Sequence, residues 1–348
     1  GALSFGAALH LHTRSPVMLV LRLLNVAFVA LPFGILSTAA IGQKPGAYPQ
    51  RPVRLLVPYA PGGATDITAR LLATKLNELW GVGVVVDNRS GASGNIALEM
   101  AARATPDGYT LLVGNVSTNA INETTFAKTL SIRPSRDLTG VTNLIELPHV
   151  YAVNPAVAAA SLKELVDHVR RTGAKLNYGS AGVGTYPHLD VARFLRVAHI
   201  EMTHVPYKSG GAGMITGILG NEVQLIMVNL ASSIPQIRAG RIKALATTWP
   251  TRRAELPEVP TMAESGFPGI GTNAWNGLFA PTRIPRPLLD QIHATVVRTM
   301  ESPEMKDAFG KQLMSVIVNR SPTDYQHFIE DEVRKWSRVV IDNDIKVE

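Results

Sequence analysis

The segment at residues 53–66, VRLLVPYAPGGATD, constrains the fold more than any other stretch, because it joins a β-prone run to a helix through a proline-glycine break. Val53, Leu55, Leu56 and Val57 form an apolar run of strand length, and Pro61, Gly62 and Gly63 stop it. Ile67, Arg70, Leu71, Leu72, Lys75 and Leu76 follow at helical spacing, with Asp66 or Thr65 placed to cap that helix. A helix opening directly after a strand leaves its first N–H groups without intrahelical partners, and with the helix dipole they favour a carboxylate or phosphate. Two successive glycines let such a ligand reach the backbone.

The chain has 348 residues, enough for two domains, and its 46% hydrophobic and 18% charged content is that of a folded globular protein. Residues 1–42 differ from the rest: they hold Arg14 and Arg22, no acid, and an apolar run at 23–36 followed by small residues from Ser37 to Gly42. That is the form of a secretory signal peptide, with Met18 a natural initiator for one of ordinary length and 1–17 an upstream extension. The apolar run is broken by Pro32 and Gly34 and is shorter than the ~20 residues a membrane span needs. A net charge of +7 is compatible with nucleic acid, but the bases are scattered, with Arg170-Arg171 and Arg252-Arg253 the densest pairs and no basic run interleaved with aromatics. The charge therefore suits small anions or simply keeps the protein soluble. With no cysteine, disulfides, thiolate metal sites and a cysteine nucleophile are excluded.

From residue 50 the pattern alternates: strands at 53–57, 82–87 and 109–114 with helices at 66–79 and 94–104, then strands at 148–153, 175–178, 202–206, 222–227 and 242–247 with helices at 161–171, 185–196, 210–218 and 231–239. This argues for two α/β units, each with a parallel sheet covered on both faces. Residues 250–268, with four prolines, read as a loop; 275–280 is strand-like; helices at 285–301, 302–312 and 322–343 form a tail expected to fold back on the first unit.

A second glycine-rich segment, YGSAGVGT at 178–185, repeats the strand-to-helix arrangement, so Ser180, Gly184, Thr185 and, one turn in, His188 are candidates for a second oxyanion cup. A third such loop at 87–95, DNRSGASGN, lines a cleft or only shapes one, and Arg89 more often braces neighbours than meets a ligand. Dinucleotide, P-loop and zincin signatures are absent, and no metal-binding or cofactor motif stands in their place. Gly179-Ser180-Ala181-Gly182 comes near a nucleophile elbow, which leaves a secreted serine hydrolase using Ser180 with His188 as an alternative, although no acid partner can be named.

The chain resembles the periplasmic solute-binding receptors of tripartite tricarboxylate transporters, the Bug family. The resemblance runs through YPQRPVRLLVPYAPGGATD at 48–66, VVVDNRSGASGNIA at 84–97, LNYGSAGVGTYPHL at 176–189, HVPYKSGGAGMITGILGNEVQLIMVNLASSIPQIRAGRIKALA at 204–246 and NAWNGLFAP at 273–281. It implies a two-lobed venus-flytrap fold of the periplasmic-binding-protein type with a discontinuous first domain, 43–147 plus 273–348, around a second at 148–272. It further implies no catalysis and no cofactor, a monomer that binds a small organic acid and delivers it to membrane permease subunits, and no nucleic acid partner. On that resemblance Tyr59, Ala60, Pro61, Gly62, Gly63, Thr65 and Asp66 hold one carboxylate. Ser180, Gly184, Thr185 and His188 meet the distal end, and Ser117, Thr118, Asn119, Val228 and Asn229 add lining. Val228 departs from the family pattern, which often has aspartate there; the change either removes negative charge from the cleft or simply points into the core.

Overall fold

A computed structural model describes residues 48–342 apart from Lys208 and Asn273. The export segment expected at 1–42 lies outside the described residues. The chain begins β1 (Val53–Val57), α1 (Ala64–Trp80), β2 (Val84–Asn88), α2 (Asn95–Ala102), β3 (Thr110–Asn115), a π-helical turn (Ser117–Ile121), α3 (Asn122–Thr125), α4 (Pro134–Asp137) and β4 (Leu138–Leu147). It continues with β5 (His149–Val153), α5 (Leu162–Thr172), β6 (Asn177–Ser180), α6 (Tyr186–Val197), β7 (Thr203–Pro206), α7 (Gly211–Leu219), β8 (Leu225–Asn229), α8 (Leu230–Arg238) and β9 (Lys243–Thr247). It closes with β10 (Ala274–Pro281), α9 (Arg286–Met300), α10 (Pro303–Lys311), β11 (Ser315–Val316) and α11 (Pro322–Asp342).

These strands form two sheets, one ordered β11-β4-β10-β3-β1-β2 and the other β7-β6-β8-β5-β9. Neither is wholly parallel as the alternation suggests: β10 runs antiparallel to β3 and β4, and β5 antiparallel to β8 and β9. The reason is connectivity. β4 and β5 are nearly continuous, so the chain enters the second sheet without a crossover helix, and β10 returns into the middle of the first between β3 and β4. All eight residues of β10 are buried.

The tail packs on the first sheet. Tyr325 of α11 lies over Gly140 and Gly277, where any Cβ would collide with its ring. Trp275 Nε1 and Trp336 Nε1 both donate to the buried Glu332 carboxylate, at 2.9 and 3.2 Å. Burying those two indoles and satisfying their N–H groups together fixes α11 against β10. α5 carries the capping signature legible in its sequence, with Ser161 accepting from Glu164 N at 3.1 Å and Gly173 in the left-handed conformation at its end.

The parallel strands of each sheet end on the same side. α1 follows β1, while α6, α7 and α8 follow β6, β7 and β8, so several helix N-termini collect at the strands' carboxyl ends, where open α/β sheets bind ligands.

Candidate ligand-binding site

A cavity of about 370 Å³ lies among these ends. One wall is the loop at 59–65 with Asn115 and Ser117; the floor is Leu147, His149, Ala274, Trp275 and Asn276; the opposite wall is Ala181, Thr185, Tyr186, Ser209, Gly210, Gly211, Ala212, Met214, Val228 and Asn229. Among the described lining residues there is no Asp, Glu, Lys or Arg. The cavity must therefore recognise charge through dipoles.

α1 starts at Ala64, two residues earlier than the sequence suggests: its N-cap is Gly63, and neither Thr65 nor Asp66 caps it. Asp66 sits in the first turn, 2% exposed and behind the loop, accepting from Gly62 N, Arg70 Nε and Asn88 Nδ2, each at 2.9 Å. Burial pushes the Asp66 carboxyl up, but these donors outweigh it and hold it below the usual range. Its contribution is to fix the shape of the glycine loop, since Asn88 Nδ2 also donates to Tyr59 O at 2.9 Å. The loop face is left as bare backbone. Added to Gly63, a Cβ would meet nothing within 4 Å, whereas Gly62 has φ +92° and needs glycine for its conformation.

Beside it, Asn115 Nδ2 donates to Thr65 Oγ1 at 3.2 Å and Asn276 Nδ2 to Thr68 Oγ1 at 2.9 Å, giving a polar seat on β3 and β10. Ser117 lines the cavity. Thr118 and Asn119 do not: they are turned inward, where Thr118 Oγ1 contacts Asn119 Oδ1 at 2.7 Å.

On the opposite wall α7 has no side-chain cap, its N-cap being Gly210 with φ +68°. The uncapped ends of α1 and α7 thus face the cavity from different sheets. α8 is capped by Asn229, whose Oδ1 accepts from Ser232 N at 2.9 Å, so its amide NH₂ is the donor it offers. Val228 is 1% exposed, pairs with Val150 in the sheet and also lines the cavity, so core packing and lining coincide at this residue.

The loop at 178–185 is arranged differently from the α1 loop. Thr185 lines the cavity, but Ser180, Gly184 and His188 do not. Ser180 is fully buried, with its Oγ 2.9 Å from Gly182 O and 2.6 Å from His204 Nε2. His188 Nδ1 accepts from Gly184 N at 3.0 Å, which fixes its neutral form, and its ring stacks on His204 with centroids 3.9 Å apart. Burial pulls His188 down to about 3 and His204 down to about 4. A base that weak, bonded to a serine the cavity does not reach, is poorly suited to activate a nucleophile near neutral pH. These groups hold the loop's shape instead.

Gly184 (φ +76°) packs against Thr125 and Phe126 across the divide, at 3.1 to 3.2 Å from where a Cβ would stand. Two hydrogen bonds also cross it: Tyr186 N donates to Ser117 Oγ at 3.0 Å, and Ser93 Oγ donates to Val183 O at 3.0 Å. Arg89 turns away to pair with Asp87 at 2.8 Å. The lining residues that sequence reasoning did not single out include Asn115, His149, Tyr186, Gly210, Gly211, Trp275 and Asn276. The run SGGAG at 209–213, again between a strand and a helix, carries the signal that would have found the α7 end.

Comparison with known proteins gives a consistent result. A family model described as tripartite tricarboxylate transporter family receptor matches residues 68–345. A protein from the tcbD-tcbE intergenic region of a Pseudomonas strain is 32% identical over 91% of this chain and 93% of its own length. BugT of Bordetella pertussis is 29% identical over 93% of this chain and 100% of its own. Among solved structures, one described as a periplasmic transporter superposes with a TM-score of 0.81 at 36% identity, covering 87% of this chain and all of its own. Rpa4515 of R. palustris, solved with adipate, gives 0.79 at 33% identity, covering 86% of this chain and 99% of that one. MatC of Rhodopseudomonas palustris, with bound malate, gives 0.77 at 29% identity, covering 84% and 100%.

Proposed function

We propose, from the premise that this chain belongs to the tripartite tricarboxylate transporter family receptors, that its cavity captures a small organic carboxylate for delivery to the membrane subunits of such a transporter. The observation that carries this reading is the pair of uncapped helix ends, α1 and α7, facing one cavity whose described lining has no ionised side chain. A carboxylate placed there receives backbone N–H donors and helix-dipole stabilisation from two directions. An ammonium group would find no carboxylate to meet it. The malate and adipate complexes of MatC and Rpa4515 support the ligand class.

In this reading residues up to 147 and from 274 onward make one lobe, 149–272 the other, and the ligand favours the joined arrangement because it touches both. The protein acts in the periplasm, without catalysis. The test is a calorimetric titration of the purified protein with adipate, malate and benzoate. Saturable binding of at least one, weakened about a hundredfold in Gly63→Val, is expected; a protein that binds none of a broad carboxylate set, or binds equally well as Gly63→Val, overturns the reading.

A further inference from the structure

A second concavity, of about 690 Å³, lies away from the first, along the seam between α6 and α11. Its walls hold Arg193 and Arg196 from α6, Lys335 and Arg338 from α11, and Gly269 and Thr272 from the segment leading to β10. Asp342 is the sole acid among the described lining residues; Asp190 is buried, and Glu332 pairs with Lys335 at 2.9 Å while facing the two indoles.

Arg193 Nη1 donates to Gly269 O at 2.7 Å, which fixes its guanidinium at the rim. Among the described residues Arg193, Arg196 and Arg338 take part in no ion pair within 4 Å, unlike Lys335. The fold thus brings four cationic side chains from two helices distant in sequence to one groove, three of them outside any described ion pair, and the resulting positive field favours a small anion there. Arg193 and Lys335 both lower the Asp190 carboxyl against the burial that raises it.

We infer that this groove is a second anion site, for a multivalent oxyanion of phosphate, pyrophosphate or polycarboxylate type, bound by the guanidinium forks of Arg193, Arg196 and Arg338 with Lys335 as a point charge. Arginine forks match two oxygens at a time, which favours multivalent over monovalent anions. Since the walls come from α6 and α11, the bound anion also braces the seam behind the first cavity.

The test follows the melting temperature and the heat of binding of the full chain titrated with inorganic phosphate, pyrophosphate and citrate, at ionic strength held constant with sodium chloride. A saturable rise with a dissociation constant below about 1 mM for at least one anion is expected, and it weakens by about tenfold or more in Arg196→Glu/Arg338→Glu. Both arginines are exposed, so that variant keeps the fold. Gly63→Val, which closes the first cavity, leaves the effect in place. No shift beyond the chloride control, an equal shift in the double arginine variant, or loss of the shift in Gly63→Val alone overturns the inference; the last result would place the anion in the first cavity and leave the proposed function standing.

Discussion

The Tyr186 amide donates a 3.0 Å hydrogen bond to Ser117 Oγ, tying the first turn of α6 to the bend that follows β3. Both residues line the cavity, and they hang from different sheets. The bond uses the first orphan donor of α6 inside the protein, so α6 has less to offer a ligand than α1 or α7.

Replacing Ser117 with alanine leaves the Tyr186 N–H, 1% exposed as a residue, without its partner. The cost of such an orphan is about 1–3 kcal/mol. On the proposed joining of the two walls by ligand, this bond forms only in the joined arrangement, so the loss is expected in carboxylate affinity, by about tenfold or more, and in the melting temperature of the liganded protein. Calorimetry on Ser117→Ala checks this; unchanged affinity contradicts it.

Gly63→Val and Gly62→Val separate space from conformation. Gly63 has open space where a side chain would stand and a β-region backbone, so valine there enters the cavity, lowers affinity about a hundredfold and leaves the melting temperature close to wild type. At Gly62, φ +92° makes valine a strained residue, so stability falls by about 1–3 kcal/mol as well. Equal losses of stability in both variants would contradict this account of the loop.

The described lining offers no counter-charge for an ammonium group. An α-amino dicarboxylate is therefore expected to bind at least about a hundredfold more weakly than its desamino or hydroxy counterpart, the scale set by leaving a desolvated charge unpaired. Val228→Asp places a carboxylate in that lining and weakens every dianion. Comparing aspartate with malate and succinate by calorimetry decides the point, and a preference for aspartate in the wild type contradicts it.

Stability is expected to fall in mild acid. Burial pulls His149 from 6.5 to about 4, His188 to about 3 and His204 to about 4. Each then binds its proton more readily unfolded than folded, so their contribution is complete above about 6.5 and is lost as pH falls below it. Asp190 works the other way. Burial raises it to about 6, so over the range from there to its ordinary 3.8 the folded chain holds the extra proton and one histidine is offset. The net slope is at most about 1.4 kcal/mol per pH unit for each remaining proton. Melting curves between about pH 7.5 and about pH 5 should show the decline, and His204→Gln should flatten it; a flat wild-type profile contradicts the assignment.

Ser180→Ala removes the hydroxyl bonded to Gly182 O and His204, so it loosens the 178–185 loop and costs about 1–2 kcal/mol of stability. Ester turnover by the wild type, absent in this variant, would revive the hydrolase alternative; the weakness of His204 as a base argues that none will be found.

Much of the architecture was legible because its signals are local. The β1 run, the proline-glycine stop and the α1 periodicity lie within thirty residues of one another, and the Ser161 and Gly173 caps of α5 are set by their own neighbours. β4 was not anticipated. Its LTGVTNLIEL has neither clean alternation nor bounding glycines, because it is buried almost throughout between β10 and β11 and needs no polar face. The direction of β10 was equally hidden, since register is decided by what it pairs with.

In the site, glycine loops marked the right strand ends, but spacing could not tell a residue that faces the ligand from one that braces the loop. Asp66, Ser180 and His188 are chemically conspicuous and stand behind the wall, while plain residues such as Gly211, Trp275 and Asn276 form it. The sequence by itself determined the strand-to-helix turns, and with them the bare N–H groups that suit an oxyanion. That the ends of α1 and α7 share one cavity, while Ser117 takes up the first N–H of α6, follows from contacts between segments far apart in the chain, 69 residues for Tyr186 and Ser117, which no local pattern encodes.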